Sequence, residues 1–407
     1  MWKGPREGKS SILTILDLRE RNYQLAVVNG WLVWLGDTFL NPNIVLSGFA
    51  AKLGAPGALI GLLPALLQAG GMIPQAFLAP WVARLPKKIV LYRRVAALRL
   101  SGVVLMALSA FLFGQNPTLL LAGFLLGLLL NALFTGVSSL PFWEVVAKTT
   151  PPEKRAALFS ARNLVGGLLA FLAGFLVREV LALPLPFPLP YALLFALGAL
   201  AFGLGWHLFG LTDEPEEAPN EARLDLKAPL RRPGFRRYLR VRLLLGLAGM
   251  AEPFYAVYAV RVLGKREELG LYLAFYALAF TLSNLLWARL AERGSKRVLL
   301  AGAFLGLLAP LLAMALPSGA FGLVFLLQGA YLAALGLATT TYLLNLAPPE
   351  ERSASIGLAN SISGLFAFST VLGGYLSDRP GFPALFLLAA LFYALALYAG
   401  RKLPEEG

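Results

Sequence analysis

The sequence has no cysteine and a single histidine, His207. Without thiols there is no disulfide framework, no thiolate metal site and no cysteine nucleophile. With one imidazole, a histidine metal centre or a Ser-His-Asp triad lacks its parts. Charge is also scarce: 14% of the 407 residues are Asp, Glu, Lys or Arg, against roughly 25% in a soluble domain. What fills the space is apolar. Hydrophobic residues make up 58% of the chain and mean hydropathy is +0.69. Apolar runs recur from end to end, which excludes a soluble enzyme with one anchor, a disordered chain and a secreted disulfide module. No G-x-x-x-x-G-K-[ST] loop is present, so nothing supports direct ATP drive. No cofactor or metal is implied. The loops are short and carry no catalytic constellation, so the chain does not read as a membrane enzyme.

A bilayer core takes roughly 20 apolar residues per helix. Twelve runs qualify, at about 22–49, 57–83, 89–113, 118–147, 156–182, 190–211, 239–262, 269–291, 297–316, 320–346, 354–377 and 382–400. Prolines 42, 64, 74, 141, 253 and 310 fall in or near them. Membrane helices tolerate such kinks because neighbours satisfy the freed carbonyls. The net charge of +14 reads as positive-inside bias rather than nucleic-acid binding. With the amino terminus inside, 29 Lys/Arg fall on the cytoplasmic side and six on the outer side. Arg99, left within the third span, completes the 36. That count includes Arg162 and Arg242 as inner flanks. It supports an N-in/C-in multi-pass protein, expected in a bacterial cytoplasmic membrane as a monomer. A cleavable signal peptide is not indicated, because the first run is too long and follows a charged arm. Within that arm, Ser10–Arg21 reads either as a short interfacial helix or as a basic tail.

The longest polar stretch, Thr212–Arg242, opens acidic and closes basic. It divides the chain into an amino-terminal six-helix half (1–211), a cytoplasmic linker (212–238) and a carboxy-terminal half (239–407). Internal echoes agree. Pro151-Pro152-Glu153-Lys154-Arg155 returns as Pro348-Pro349-Glu350-Glu351-Arg352, with Asn163/Asn360 and Gly167/Gly364 at the same offset. Trp81-Val82-Ala83-Arg84-Leu85 returns as Trp287-Ala288-Arg289-Leu290. Repeated halves mark secondary transporters.

The run Trp287-Ala288-Arg289-Leu290-Ala291-Glu292-Arg293-Gly294-Ser295-Lys296-Arg297 resembles the loop signature G-x-L-a-D-r-x-G-r-k of the major facilitator superfamily. Glu292 stands at the acidic position, and Trp287 or Ala288 where glycine is usual. The first-half copy, Trp81–Lys88, keeps the basic residues and lacks the acid. The resemblance implies an all-α polytopic membrane protein with twelve helices in two pseudo-symmetric bundles. Gly36-Asp37-Thr38-Phe39-Leu40-Asn41-Pro42 is similar to the proline-containing first-helix motif of the drug:proton antiporter branch. That branch's arginine in span 4 and Gly-Pro pair in span 5 are absent. The implied function is alternating-access secondary transport, most simply proton-coupled efflux of small amphipathic compounds. The alternative is uniport or exchange of sugars, metabolites or lipid-like molecules.

A charge inside a bilayer is costly, by about 2.5–3.5 kcal/mol on insertion scales. Asp37 and Glu252, deep in spans 1 and 7, are therefore the proton-coupling or substrate-binding carboxylates, unless each is held by a structural pair or lies in a wet outer vestibule. In the family, spans 1, 4, 7 and 10 line the cavity, and here they offer Trp31, Trp34, Asn131, Phe254, Tyr255, Tyr258, Gln328, Tyr331 and Thr340. Sparse basic residues there disfavour phosphate esters. Gating or ion-pair residues are Glu144 (with Lys148, i,i+4), Arg99, Arg289, Glu292 and Arg293. Arg99 either snorkels to the inner interface or pairs with an acid in the cavity. Glu179 and Asp378 are expected to meet water at outer helix ends, and His207 to take a packing or interfacial role near the inner end of span 6.

Overall fold

The computed structural model describes residues 7–216, 227–348 and 351–405. Glu217 and Arg223 of the expected linker, and Pro349 and Glu350 of the second Pro-Pro-Glu turn, lie outside them. The side chains up to Asp17 of the expected interfacial helix, and that of Arg352, also lie outside. Among the described residues the chain is helical throughout. α1 (Glu7–Phe39) continues through a π-helical turn, Pro42–Leu46, into a short helix, Ser47–Lys52. α2 is split into Gly57–Met72 and Pro74–Ala83. α3 (Lys88–Leu112), α4 (Pro117–Thr149), α5 (Pro152–Ala182) and α6 (Leu189–Gly210) complete the first half. α7 runs as Pro233–Ala248, a 3-10 turn Gly249–Ala251 and Glu252–Arg261. α8 (Leu269–Ala291), α9 (Ser295–Ala315), α10 (Gly322–Leu346), α11 (Arg352–Phe366 and Ser369–Asp378) and α12 (Phe382–Arg401) follow.

Ten of these helices are long and apolar enough to cross a membrane. The other two depart for readable reasons. α1 carries Asn22, Asn29 and Asp37, and α2 breaks at Ile73 because Pro74 has no amide to continue the ladder. α7 begins at Pro233, earlier than the expected 239, since proline suits a first helical turn. The outer faces carry exposed leucines such as Leu133, Leu168, Leu286 and Leu391, as lipid contact requires.

Within the first half α3 packs on α4 and α6, and α1 on α5 and α6; within the second, α10 packs on α8 and α9, and α12 on α7 and α9. Arg162 does not sit at the inner surface, where the charge count places it. It is 9% exposed, donates to the Ala26 carbonyl and to Asn29 Oδ1 (3.0 Å), and lies 5.0 Å from the Phe142 ring. Arg162 thus ties α5 to α1 and α4 inside the half.

Each half is strapped at its inner end by the segment after its last helix. Glu214 accepts from the Ile89 amide at the start of α3 (2.7 Å) and from Lys148 of α4 (2.9 Å). Asn22 of α1 exchanges hydrogen bonds with the Asp213 backbone, at 2.9 and 3.1 Å. Lys148 is therefore given to Glu214, whereas the i,i+4 spacing had suggested Glu144. Glu144 is exposed. In the second half Lys296 at the start of α9 donates to Glu405 (2.7 Å) and to the Leu403 carbonyl, and Tyr342 of α10 donates to the Pro404 carbonyl (3.0 Å).

The halves meet along α2–α11 and α5–α8. At the end the charge count assigns to the outside, the Gly57 and Gly374 backbones touch, and Gly61 lies against the Thr370 backbone. Only a residue without Cβ permits such an approach. Asp378 accepts from the Gly57 amide, and Arg261 donates to the Ala55 carbonyl and to Asp378 (3.4 Å). Asp378 is thus not simply a solvated helix end: it latches α11 and α7 to the start of α2. On this cysteine-free chain, Asp378→Ala is expected to raise the reactivity of a thiol placed at Ala58 toward a membrane-impermeant maleimide. An increase of roughly threefold corresponds to losing one partly exposed ionic contact. Unchanged reactivity would mean that outer closure does not depend on this carboxylate.

Candidate functional site

A cavity of ≈ 460 Å³ lies between the halves, lined by α1, α2, α7, α10 and α11. Its polar wall includes Asn43, Gln68, Arg242, Glu252, Thr339 and Ser363. A smaller cavity of ≈ 170 Å³, lined by Asp37, Arg99, Asn131 and Thr135, adjoins it in the first half. Pro42 and Leu67 border both. Volumes of this size suit a small organic molecule.

The two carboxylates are presented by matching breaks in α1 and α7. In α1, Pro42 interrupts the helix, Asn41 caps the following turn through its side-chain oxygen (3.1 Å to the Asn43 amide, 3.0 Å to that of Ile44), and Ser47 Oγ reaches back to the Pro42 carbonyl. In α7, Glu252 opens the outer piece just after the 3-10 turn, with Pro253 behind it. An acid is favoured in a first helical turn. The break turns Asn43 toward Glu252, and Asn43 Nδ2 lies 3.4 Å from Glu252 Oε2 across the interface between halves. Tyr276 of α8 lies within the electrostatic reach of both Asp37 and Glu252.

Behind Glu252, Gln328 Nε2 is 3.3 Å from the Glu252 carbonyl. The buried Tyr331 hydroxyl lies beside Glu252 and Tyr393, and the Gln328 Oε1 is fully buried and has no protein hydrogen-bond partner. Such unpartnered groups are rare in folded proteins, because each carries a desolvation cost.

Arg99 does not snorkel to the interface. Its guanidinium points into the bundle, 3.2 Å from Asn131 Oδ1, 2.9 Å from Ser138 Oγ and 4.1 Å from the Trp206 ring, and it acts electrostatically on Asp37. Arg242, counted with the inner flank, also sits inside, on the wall of the large cavity. A cavity poor in basic residues was the expectation, and two arginines overturn it.

Of the cavity residues expected from sequence, Asn131 lines the smaller cavity. Trp34 packs on Gly166 and edge-on to Phe280 (5.6 Å), between α1, α5 and α8. Thr340 is exposed beside the cavity residue Thr339. Four are corrected. Trp31 turns away, its indole bonded to the Ala161 carbonyl of α5 (3.1 Å). Tyr255 packs on Phe386, and Tyr258 on Phe321, Phe382 and Phe386, within the second half. Phe254 is likewise fully buried. Periodicity alone does not tell which face of a span looks at the cavity when all faces are apolar. Arg289, Glu292 and Arg293 are exposed at the inner end of α8 and form no ion pair among the described residues. Glu179 is exposed, as expected, and His207 is exposed in a side groove between α3 and α6, in line with the interfacial alternative. Sequence reasoning missed Asn43 and Gln68, polar residues whose only signal is their place inside apolar runs.

Two pseudo-equivalent bundles, a central cavity between them and carboxylates at or beside breaks in α1 and α7 are the features of a secondary transporter. The sequence model of the Major Facilitator Superfamily matches residues 26–264 and 245–406, and the chain belongs to that family. A point mutant of the nucleoside transporter NupG superposes with a TM-score of 0.74 at 13% identity, covering 94% of this chain and 99% of that one. A D-xylose–proton symporter gives 0.71 at 16% identity, covering 95% and 98%. A bacterial homolog of the human lysosomal transporter Spinster gives 0.68 at 15%, covering 95% and 98%. A search among curated proteins finds no match.

Proposed function

We propose that this chain is a proton-coupled transporter of small amphipathic organic compounds, working outward by rocking residues 1–211 against residues 239–407. Asp37 and Glu252 are its coupling carboxylates. The observation that carries the reading is their symmetry: one acid from each half, each at or beside a break in α1 or α7, each reachable from adjoining cavities. A carboxylate whose surroundings alternate between water and protein binds and releases a proton as its hydration changes. The Tyr331 hydroxyl lies within hydrogen-bonding reach of Glu252 and can follow its change of charge. Arg99 holds a positive charge near Asp37 whatever the proton does.

The test uses purified protein in liposomes loaded with a pH-sensitive dye, challenged with lipophilic cations, organic acids, sugars and lysolipids without an imposed gradient. One substrate class is expected to move protons. Asp37→Asn or Glu252→Gln is expected to reduce that signal by at least about tenfold, the range typical for loss of a proton-transfer group. Labelled compounds that cross at full rate with no proton movement would sink the coupling claim. They would leave uniport or exchange of metabolites.

A further inference from the structure

Taking the central cavity as the transport site, we infer that Arg242 is its specificity-determining residue and that the preferred substrate carries an anionic group, a carboxylate or a like monoanion. Arg242 stands on the inner piece of α7, about ten residues before Glu252 and thus roughly 15 Å from it along the helix. Its Nη1 donates to the Tyr238 hydroxyl (2.9 Å) and its Nη2 to Asn360 Oδ1 (2.9 Å). Both partners are neutral. Tyr238 in turn donates to the Thr339 carbonyl (2.8 Å), which fixes its hydroxyl as an acceptor for the arginine. No Asp or Glu lies within ion-pair distance of Arg242 among the described residues. A guanidinium has five N–H donors in a rigid fork, so two tethers leave donors for a ligand in the cavity that the residue lines.

Arg99 provides the contrast. It too is held by neutral groups, but Asp37 lines the same small cavity and supplies a counter-charge. Glu252 lines the same cavity as Arg242 but stands roughly 15 Å away along α7, so no carboxylate is seated on this guanidinium. Arg242 is half-buried, facing the cavity, and fixed donors with no fixed carboxylate beside them are how proteins recognise an anion. Part of the lining, Leu245, Leu332, Leu335 and Met72, is apolar and suits the body of an organic acid. The arginine is also wired to the contact between halves, since Asn360 Nδ2 reaches Gln75 Oε1 of α2 at 3.3 Å. An anion seated on Arg242 therefore bears directly on a hydrogen bond that rocking must break.

The test is equilibrium binding by calorimetry in neutral-lipid nanodiscs, with empty discs subtracted. The probes are 4-phenylbutyrate, its methyl ester and 4-phenylbutylamine. The carboxylate is expected to bind and the ester and amine to bind at least about tenfold more weakly. Arg242→Gln is expected to weaken the carboxylate by about ten- to a hundredfold, the loss of one charge-assisted contact, with Arg242→Lys in between. Asn360→Asp supplies a second test that keeps the arginine. A fixed carboxylate against the guanidinium is expected to displace the ligand while leaving thermal stability equal or higher. Preference for the amine or ester, no binding of the carboxylate, or undiminished carboxylate binding by Arg242→Gln or Asn360→Asp would overturn the inference. Because binding needs no proton movement, its failure is distinct from failure of the coupling carboxylates.

Discussion

Substituting Gly374 by valine is expected to leave both halves folded and to stop transport. A Cβ at this position falls closer than 3.0 Å to the Gly57 carbonyl group and the Ala58 amide. These are backbone atoms, which cannot rotate away as a side-chain tip would. The contact lies between the halves, so the chain relieves it by parting α2 from α11, not by unfolding either bundle. Overpacking costs about 1–3 kcal/mol, and here the whole cost falls on the outer-closed arrangement. At the upper end that depopulates the closed state by about a hundredfold. Transport requires both arrangements, so flux in liposomes should fall by a similar factor. The thiol at Ala58 should become freely reactive, and the thermal midpoint should change little. Normal flux, or a large loss of thermal stability, would show that α2 and α11 do not separate here during transport. Gly57→Val is expected to behave in the same way, since its own Cβ would meet the Gly374 carbonyl.

Glu214→Ala should be the most destabilising single change outside the membrane-spanning helices. The Glu214 side chain is fully buried and that of Lys148 is 5% exposed. Removing one member of a buried, hydrogen-bonded ion pair typically costs about 3–5 kcal/mol. The same truncation also takes the acceptor from the Ile89 amide at the start of α3. An exposed pair such as Lys154–Glu20, with side chains 61% and 55% exposed, contributes little by comparison. Denaturant unfolding in detergent should therefore lose about 3 kcal/mol or more for Glu214→Ala, and under about 1 kcal/mol for Glu20→Ala. Equal effects would mean that the strap does not hold α3 and α4 together.

Much of this protein was fixed by composition. Apolar runs of bilayer length, basic residues concentrated on alternate loops and two echoed motifs are enough to give a twelve-span membrane protein in two halves, because the bilayer admits few alternatives to helices. Asp37 and Glu252 stood out by the same logic, as acids where insertion is costly. Arg162 and Arg242 did not, because each lies within a turn or two of a basic cluster. Along a linear sequence, a charge just inside a span is indistinguishable from one snorkelling to its edge.

Facing was decided only in three dimensions. Tyr255, Tyr258 and Trp31 share their helices with cavity residues yet turn into the packing of their own half, since in an apolar span no polar face marks the side toward the cavity. The breaks that present Asn43 and Glu252 depend on caps and proline positions whose consequence is geometric. Asp378 met Gly57 across more than three hundred residues of chain. The sequence by itself determined that this chain crosses a membrane and is built as a transporter, because solvation of the backbone and of charge leaves little choice. Which charges meet, which arginine faces the central cavity and which glycines touch were decided by the packing of one half against the other.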